Sequence, residues 1–108
     1  MGAEAAISVR HAEELAKTLK ALAHPIRLRL VSLLAHEPDG EACVCAISAE
    51  FGVTGPTISH HLRLLREAGV LACERRGTWV YYRLNPDVLD PVLQAIPLTS
   101  TSPSIIVD

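Results

Sequence analysis

A mainly α-helical domain that carries one β-hairpin, with two short helices set as a helix-turn-helix, is the fold class this sequence predicts. Three observations carry the prediction. Apolar residues recur at helical spacing through the first part of the chain, a glycine-containing turn separates two short helical patterns near residues 43–51 and 55–68, and two strand-rich runs, "VLACERR" and "TWVYYRL", flank Gly77.

The first helix is expected over roughly residues 9–23. Ala12, Leu15, Ala16, Leu19 and Leu22 share a face there, and His24-Pro25 breaks the run because proline disfavours helix at the residue before it. Pro25 suits the first turn of a second helix, "PIRLRLVSLLAH", with Ile26, Leu30, Leu33 and Leu34 as its stripe and Arg27 on the polar side with Arg29 and Ser32. That helix should stop near "EPDG". A short helix from Cys43 to Phe51 turns Ile47 and Phe51 inward, and Gly52 fits the left-handed position that closes it. After the turn "VTG", Thr54 is placed to cap "PTISHHLRLLREAG", whose buried stripe is Ile58, Leu62 and Leu65 and whose end is Gly69. The two runs around Gly77 read as a β-hairpin, the wing of a winged helix-turn-helix. A last helix restarts at Asn85-Pro86, with Pro91 disturbing it unless it opens a new turn.

A chain of 108 residues has room for one core, so residues 1–96 are expected to form one domain and residues 97–108, "PLTSTSPSIIVD", a flexible tail or a segment lying on a neighbour. No apolar run approaches the roughly 18 residues of a membrane span, and no basic-then-apolar leader opens the chain, so a soluble, cytoplasmic protein is expected. The net charge of −2 argues against coating nucleic acid through bulk positive charge. From Thr54 to Leu84, however, five arginines stand against two glutamates. Phosphate contacts supply non-specific affinity, and side chains near the start of a recognition helix read base edges. Thr57, Ser59 and His60 lie at that start, Gly55 and Pro56 would let the helix end approach a phosphate, and Arg63, Arg75 and Arg76 offer positive charge. Ser59 and His61 read equally well as solvated positions, and His60 is the preferred base reader.

Three cysteines cannot all pair within one chain, and residues at i and i+2 rarely have disulfide geometry, so Cys43, Cys45 and Cys73 are expected as thiols. On a regular helix residues i and i+2 point about 200° apart. Cys43 and Cys45 could then hold one soft ion only if the first turn distorts, and distortion of a helix supporting the recognition helix would convert ligand binding into lost DNA geometry. An isolated buried cysteine is more simply a small hydrophobe, and Cys73 reads that way as readily as a ligand. From another class, a pair of reactive thiols near a helix N-terminus could belong to a redox sensor or a small thiol oxidoreductase. The enzyme lacks support: no activated base or cofactor loop is visible, and His24 and His36 read as helix-end residues. A winged-helix module that binds only protein is disfavoured by the basic segment.

Together "ALAHPIRLRLVSLL", "GEACVCAIS", "TGPTISHHLRLLREAGVL" and "RRGTWVYYRL" resemble the successive signatures of the ArsR/SmtB family of metal-responsive winged-helix repressors over roughly residues 15–96. The cysteine pair is similar to the ELCVCDL motif of the arsenical-repressor branch. The resemblance implies a homodimer joined through its first and last helices. It also implies that the dimer binds double-stranded operator DNA without a cofactor and releases it when As(III) or Sb(III) reaches Cys43 and Cys45. Where that branch often carries a further cysteine, this chain has Ser48, which leaves Cys73, a water, a buffer thiol or His11 of the partner subunit as third ligand. The zinc-sensing branch takes Asp and His from its final helix. Here no histidine follows His61, and Asp87 and Asp90 alone make a poor zinc site. A cadmium- or lead-responsive repressor of the same fold is the alternative, since both ions share the preference for sulfur.

Overall fold

The computed structural model describes residues 6–52 and 55–96. Its elements run α1 (Val9–Leu22), α2 (Pro25–Ala35), β1 (Glu41–Cys43), α3 (Val44–Phe51), α4 (Gly55–Glu67), β2 (Leu71–Arg76), β3 (Trp79–Leu84) and α5 (Pro86–Ala95). This is the winged helix-turn-helix expected from sequence, with one strand more. Thr54, the expected cap of α4, and the segment from residue 97 onward lie outside the described residues.

Local chemistry sets the helix ends. The Ser8 hydroxyl accepts the His11 N–H at 3.1 Å and caps α1. His24 takes an extended backbone and its Nδ1 accepts the Ile26 N–H at 3.1 Å, so the histidine before Pro25 is the cap of α2. His36 closes the same helix, its Nδ1 lying 2.8 Å from the Ser32 carbonyl. Gly52 stands at φ 65° behind α3, a backbone state that costs glycine little. Asn85 caps α5 through the Asp87 N–H and donates to the Gly69 carbonyl, which ties the start of α5 to the end of α4. Pro91 lies inside α5, which continues to Ala95.

Leu30, Leu34, Ile47, Ile58, Leu62, Leu65 and Val70 are fully buried and form the centre of the core. Each such side chain contributes roughly 1.5–3 kcal/mol of transfer free energy. The helical spacing placed Leu30, Leu34, Ile58, Leu62 and Leu65 there in advance. Arg27 does not lie on an open polar face as expected: it is half-buried, and its Nε has no hydrogen-bond partner among the described residues. The apolar stripe of α1 is open along much of its length. Leu19 is 43% exposed, and Leu15 and Leu19 line a cleft with Ile7, Val92, Ala95 and Ile96.

The sheet has the order β1-β3-β2, all antiparallel. Three residues are too few to show an alternation in sequence, so β1 is defined by its partner: Glu41 faces Arg83, Ala42 faces Tyr82 and Cys43 faces Tyr81. In β2, Ala72 faces Arg83, Cys73 faces Tyr82, Glu74 faces Tyr81 and Arg76 faces Trp79. Since side chains alternate along a strand, Ala42, Leu71, Cys73, Tyr82 and Leu84 share the inner face, and Glu41, Cys43, Glu74, Arg76, Tyr81 and Arg83 share the outer one. In tertiary packing α3 contacts chiefly β1 and β3, whereas α4 contacts α2 and β2.

Candidate metal centre and nucleic-acid interface

Cys43 is not a helical residue. It ends β1 and serves as the N-cap of α3, with φ −73° and ψ 145°. The expected divergence of the two thiols assumed that both lie on a regular helix, and that assumption fails at the cap. The extended backbone brings Cys43 Sγ to 2.7 Å from Cys45 Sγ, and the Cys45 N–H points at Cys43 Sγ at 3.4 Å. Two soft donors thus lie side by side at the start of α3 without any unwinding of the helix. The hydrogen bond from the Cys45 thiol holds the Cys43 thiol below its usual range. Burial opposes this, and the Cys45 and Ala46 N–H groups assist it. The same bond pushes Cys45 up, together with burial and the charge on Cys43. Of the two, Cys43 at the cap is the thiol that gives up its proton first.

Cys73 does not join the pair within one protomer. It faces Tyr82 on the inner side of the sheet, while Cys43 faces Tyr81 on the outer side and β3 runs between them. Two strand spacings, about 10 Å, and the thickness of the sheet separate the sulfurs. Cys73 is exposed, and the Tyr82 hydroxyl across from it is pushed up first by burial and then by Cys73, with Arg66 acting against the shift. Among the described residues no group of three or more His, Cys, Asp or Glu is arranged to hold a metal ion.

On α4 the buried side is Ile58, His61, Leu62 and Leu65. Gly55, Pro56, Ser59, His60 and Arg63 are exposed, and Thr57 is half-buried. The Arg63 guanidinium can only donate, so its 3.2 Å contact makes His60 Nδ1 an acceptor and places the proton of the neutral ring on Nε2. His60 then presents a donor to whatever its exposed edge meets. His61 is not the solvated residue allowed for in sequence. It is 7% exposed, its ring centroid lies 4.4 Å from that of His24, and its Nδ1 has no hydrogen-bond partner among the described residues. Burial depresses its pKa, with the charges of His24, Arg27 and His60 acting in the same direction.

The two wing arginines, equivalent in sequence, differ in structure. Arg75 is exposed and makes no ion pair with any described residue. Arg76 lies across the outer face, donating to both Glu41 oxygens at 2.9 Å and to Glu74 at 2.9 Å, with its guanidinium 4.3 Å from the centre of the Tyr81 ring. Its free donors are largely consumed. Glu41, held below the usual carboxylate range first by this bond, is a residue that sequence reasoning missed. No local pattern marks it, because its partner is 35 residues away.

A family model described as "Bacterial regulatory protein, arsR family" matches residues 24–72, from the cap of α2 into β2. The arsenical resistance operon repressor of Staphylococcus xylosus is 33% identical over 90 residues, covering 83% of this chain and 84% of that protein. The chain belongs to the arsR family of bacterial regulatory proteins. The arsenic resistance transcriptional regulator ArsR1 of Pseudomonas putida is 45% identical over 80 residues, 71% of this chain, and the match spans about three fifths (61%) of that relative's length. The solved structure of the antimony-specific repressor AntR superposes with a TM-score of 0.66 at 32% identity, over 80% of this chain and 77% of that one. Among the described residues no helix is long and apolar enough to cross a membrane.

Proposed function

We propose that this arsR-family chain is a metalloid-responsive transcriptional repressor. It binds operator DNA as a homodimer through α4 and the wing, and leaves that DNA when trivalent arsenic or antimony bonds Cys43 and Cys45. The observation that carries the reading is the 2.7 Å approach of the two sulfurs, one of them at the cap of α3. Soft thiolates select thiophilic ions, and two of them side by side at one helix end can bond the same ion after a small parting of the sulfurs. Relatives that are arsenical-resistance repressors and a structural neighbour that is antimony-specific support the same choice. The open apolar cleft between α1 and α5, where Leu19 is 43% and Ile96 58% exposed, supports a second copy as its cover. For DNA, Thr57, Ser59 and His60 are assigned to base edges and Arg63 and Arg75 to phosphates, with Gly55 and Pro56 at the approach to the backbone. The third position on the metalloid goes to a small thiol or water and not to Cys73 of the same protomer.

A thiol-oxidation response at the same pair is the second reading, favoured by the lowered Cys43 thiol. One titration separates the readings. Purified protein is bound to a labelled fragment of its own upstream DNA, and arsenite, antimonite, cadmium, lead, zinc and hydrogen peroxide are added in turn under reducing or non-reducing conditions as each requires. Release by arsenite and antimonite at protein-stoichiometric concentration is expected, with sedimentation showing a dimer throughout. Release by peroxide alone would move the assignment to redox sensing, and release by zinc alone would move the metal away from the cysteines.

A further inference from the structure

Arg76 stands at the far end of β2, yet its guanidinium reaches back over β3 to a residue of β1. The ring it crosses belongs to Tyr81, which is the residue facing Cys43 across the β1–β3 ladder. Glu41, which takes the other end of the bidentate pair, lies two positions before Cys43 on the same face of the same three-residue strand. Its side chain is only 18% exposed in the pair, and Glu74 holds the guanidinium from the opposite side at 2.9 Å. A β1 strand of three residues has few ladder hydrogen bonds of its own; Ala42 anchors it in the core, and the bidentate charge-assisted pair adds a tie to the far end of β2. The main tertiary contacts of α3, the helix that carries Cys45, are also to this sheet and not to α4.

We infer that Arg76 and Glu41 are positioning residues that couple the cysteine pair to the wing. In the free repressor the pair holds β1, and with it Cys43, in register with β3 and with the distal end of β2, where the DNA-contacting Arg75 sits. A metalloid that bonds both sulfurs must part them from their close contact, which moves Cys43 and with it β1, strains the Glu41–Arg76 strut across Tyr81 and shifts the wing. In this proposal Arg76 acts through Glu41 and Tyr81 rather than as the phosphate contact expected from sequence. The inference rests on the metalloid reading above and adds the route by which that site reaches DNA.

The test uses the full chain with Glu41→Gln, Arg76→Gln and the double variant. Three quantities are read: the affinity for upstream DNA without arsenite at several salt concentrations, the ratio of DNA affinities without and with saturating arsenite, and arsenite affinity of the free protein from thiolate–arsenic absorbance. Amide exchange at Ala42 and Cys43 gives a fourth readout that needs no ligand. Each single variant is expected to retain the wild-type salt slope and to bind arsenite within about twofold of wild type. Each should lose protection at Ala42 and Cys43 and lower the affinity ratio by at least fivefold, the lower end of ordinary allosteric coupling. The double variant should match the singles, because either substitution breaks the same strut. An unchanged ratio in both singles would overturn the inference while leaving the metalloid reading intact. So would a shallower salt slope in Arg76→Gln that Glu41→Gln does not share, since that marks Arg76 as a phosphate contact. If arsenite does not release even the wild type, it is the metalloid reading that fails, and the inference falls with it.

Discussion

The inner and outer faces of the three-stranded sheet are built by different forces. On the inner face Ala42 and Leu71 are buried and Leu84 and Tyr82 pack against the α4 core, so that face is held by exclusion of water. On the outer face Glu41, Glu74, Arg76 and Arg83 form a charged network over Tyr81, next to Cys43. A dry face tolerates little change without loss of the fold. A wet, charged face can be rearranged at small cost, which suits the side on which a ligand must act. Cys43 stands on the outer face beside that network and Cys73 on the other face, exposed at its margin, so the two thiols do not share a side.

The sharpest break of this comparison is a deletion on the inner face. Leu71→Ala should destabilise the protein by about 2–5 kcal/mol, the usual cost of emptying a buried leucine site. Urea denaturation reads it, and Glu41→Gln, on the outer face, should move the same midpoint far less. Equal shifts would mean that the charged network is as much a part of the core as the leucines.

A finer test compares the neighbouring arginines of the wing. Arg75, without an ion pair, should lower the slope of log affinity against log salt by about 0.9 when changed to alanine, the effect of one phosphate contact. Arg76→Ala should leave that slope near wild type. If the two variants flatten the slope alike, the outer network opens when DNA binds.

The smallest effect is expected from pH, and it concerns the buried ring on α4. Burial holds the His61 pKa below that of the unfolded chain. The unfolded state therefore takes up the proton first as pH falls, and stability present above about pH 6.5 declines below it. His61→Leu should remove part of that acid-side decline in melting temperature.

The helices and the wing were legible from sequence because their signals are local: apolar spacing, Pro25 and Asn85-Pro86 at helix starts, Gly52 and Gly77 at turns. The cysteine pair was legible as a motif but not as a geometry, since i, i+2 spacing gives opposite directions on a helix and a shared direction around an extended cap. β1 and Glu41 were hidden because a three-residue strand has no periodicity and an ion pair across 35 positions leaves no local trace. His61 escaped for a related reason. A polar residue beside Ile58 and Leu62 reads as surface until the ring of His24, set by the cap of α2, is seen to cover it.

The central claim is that Cys43 and Cys45 receive the metalloid and Cys73 does not. It is tested most directly by arsenite titration of the DNA complex for Cys43→Ser, Cys45→Ser and Cys73→Ser, followed by fluorescence anisotropy. Serine is a good helix cap, so Cys43→Ser should keep α3 and DNA binding while removing the soft donor. The account predicts that Cys43→Ser and Cys45→Ser stay on DNA at arsenite concentrations that release wild type completely, and that Cys73→Ser is released like wild type. Release of both Cys43→Ser and Cys45→Ser at the wild-type concentration, or a Cys73→Ser variant as unresponsive as the other two, would contradict it.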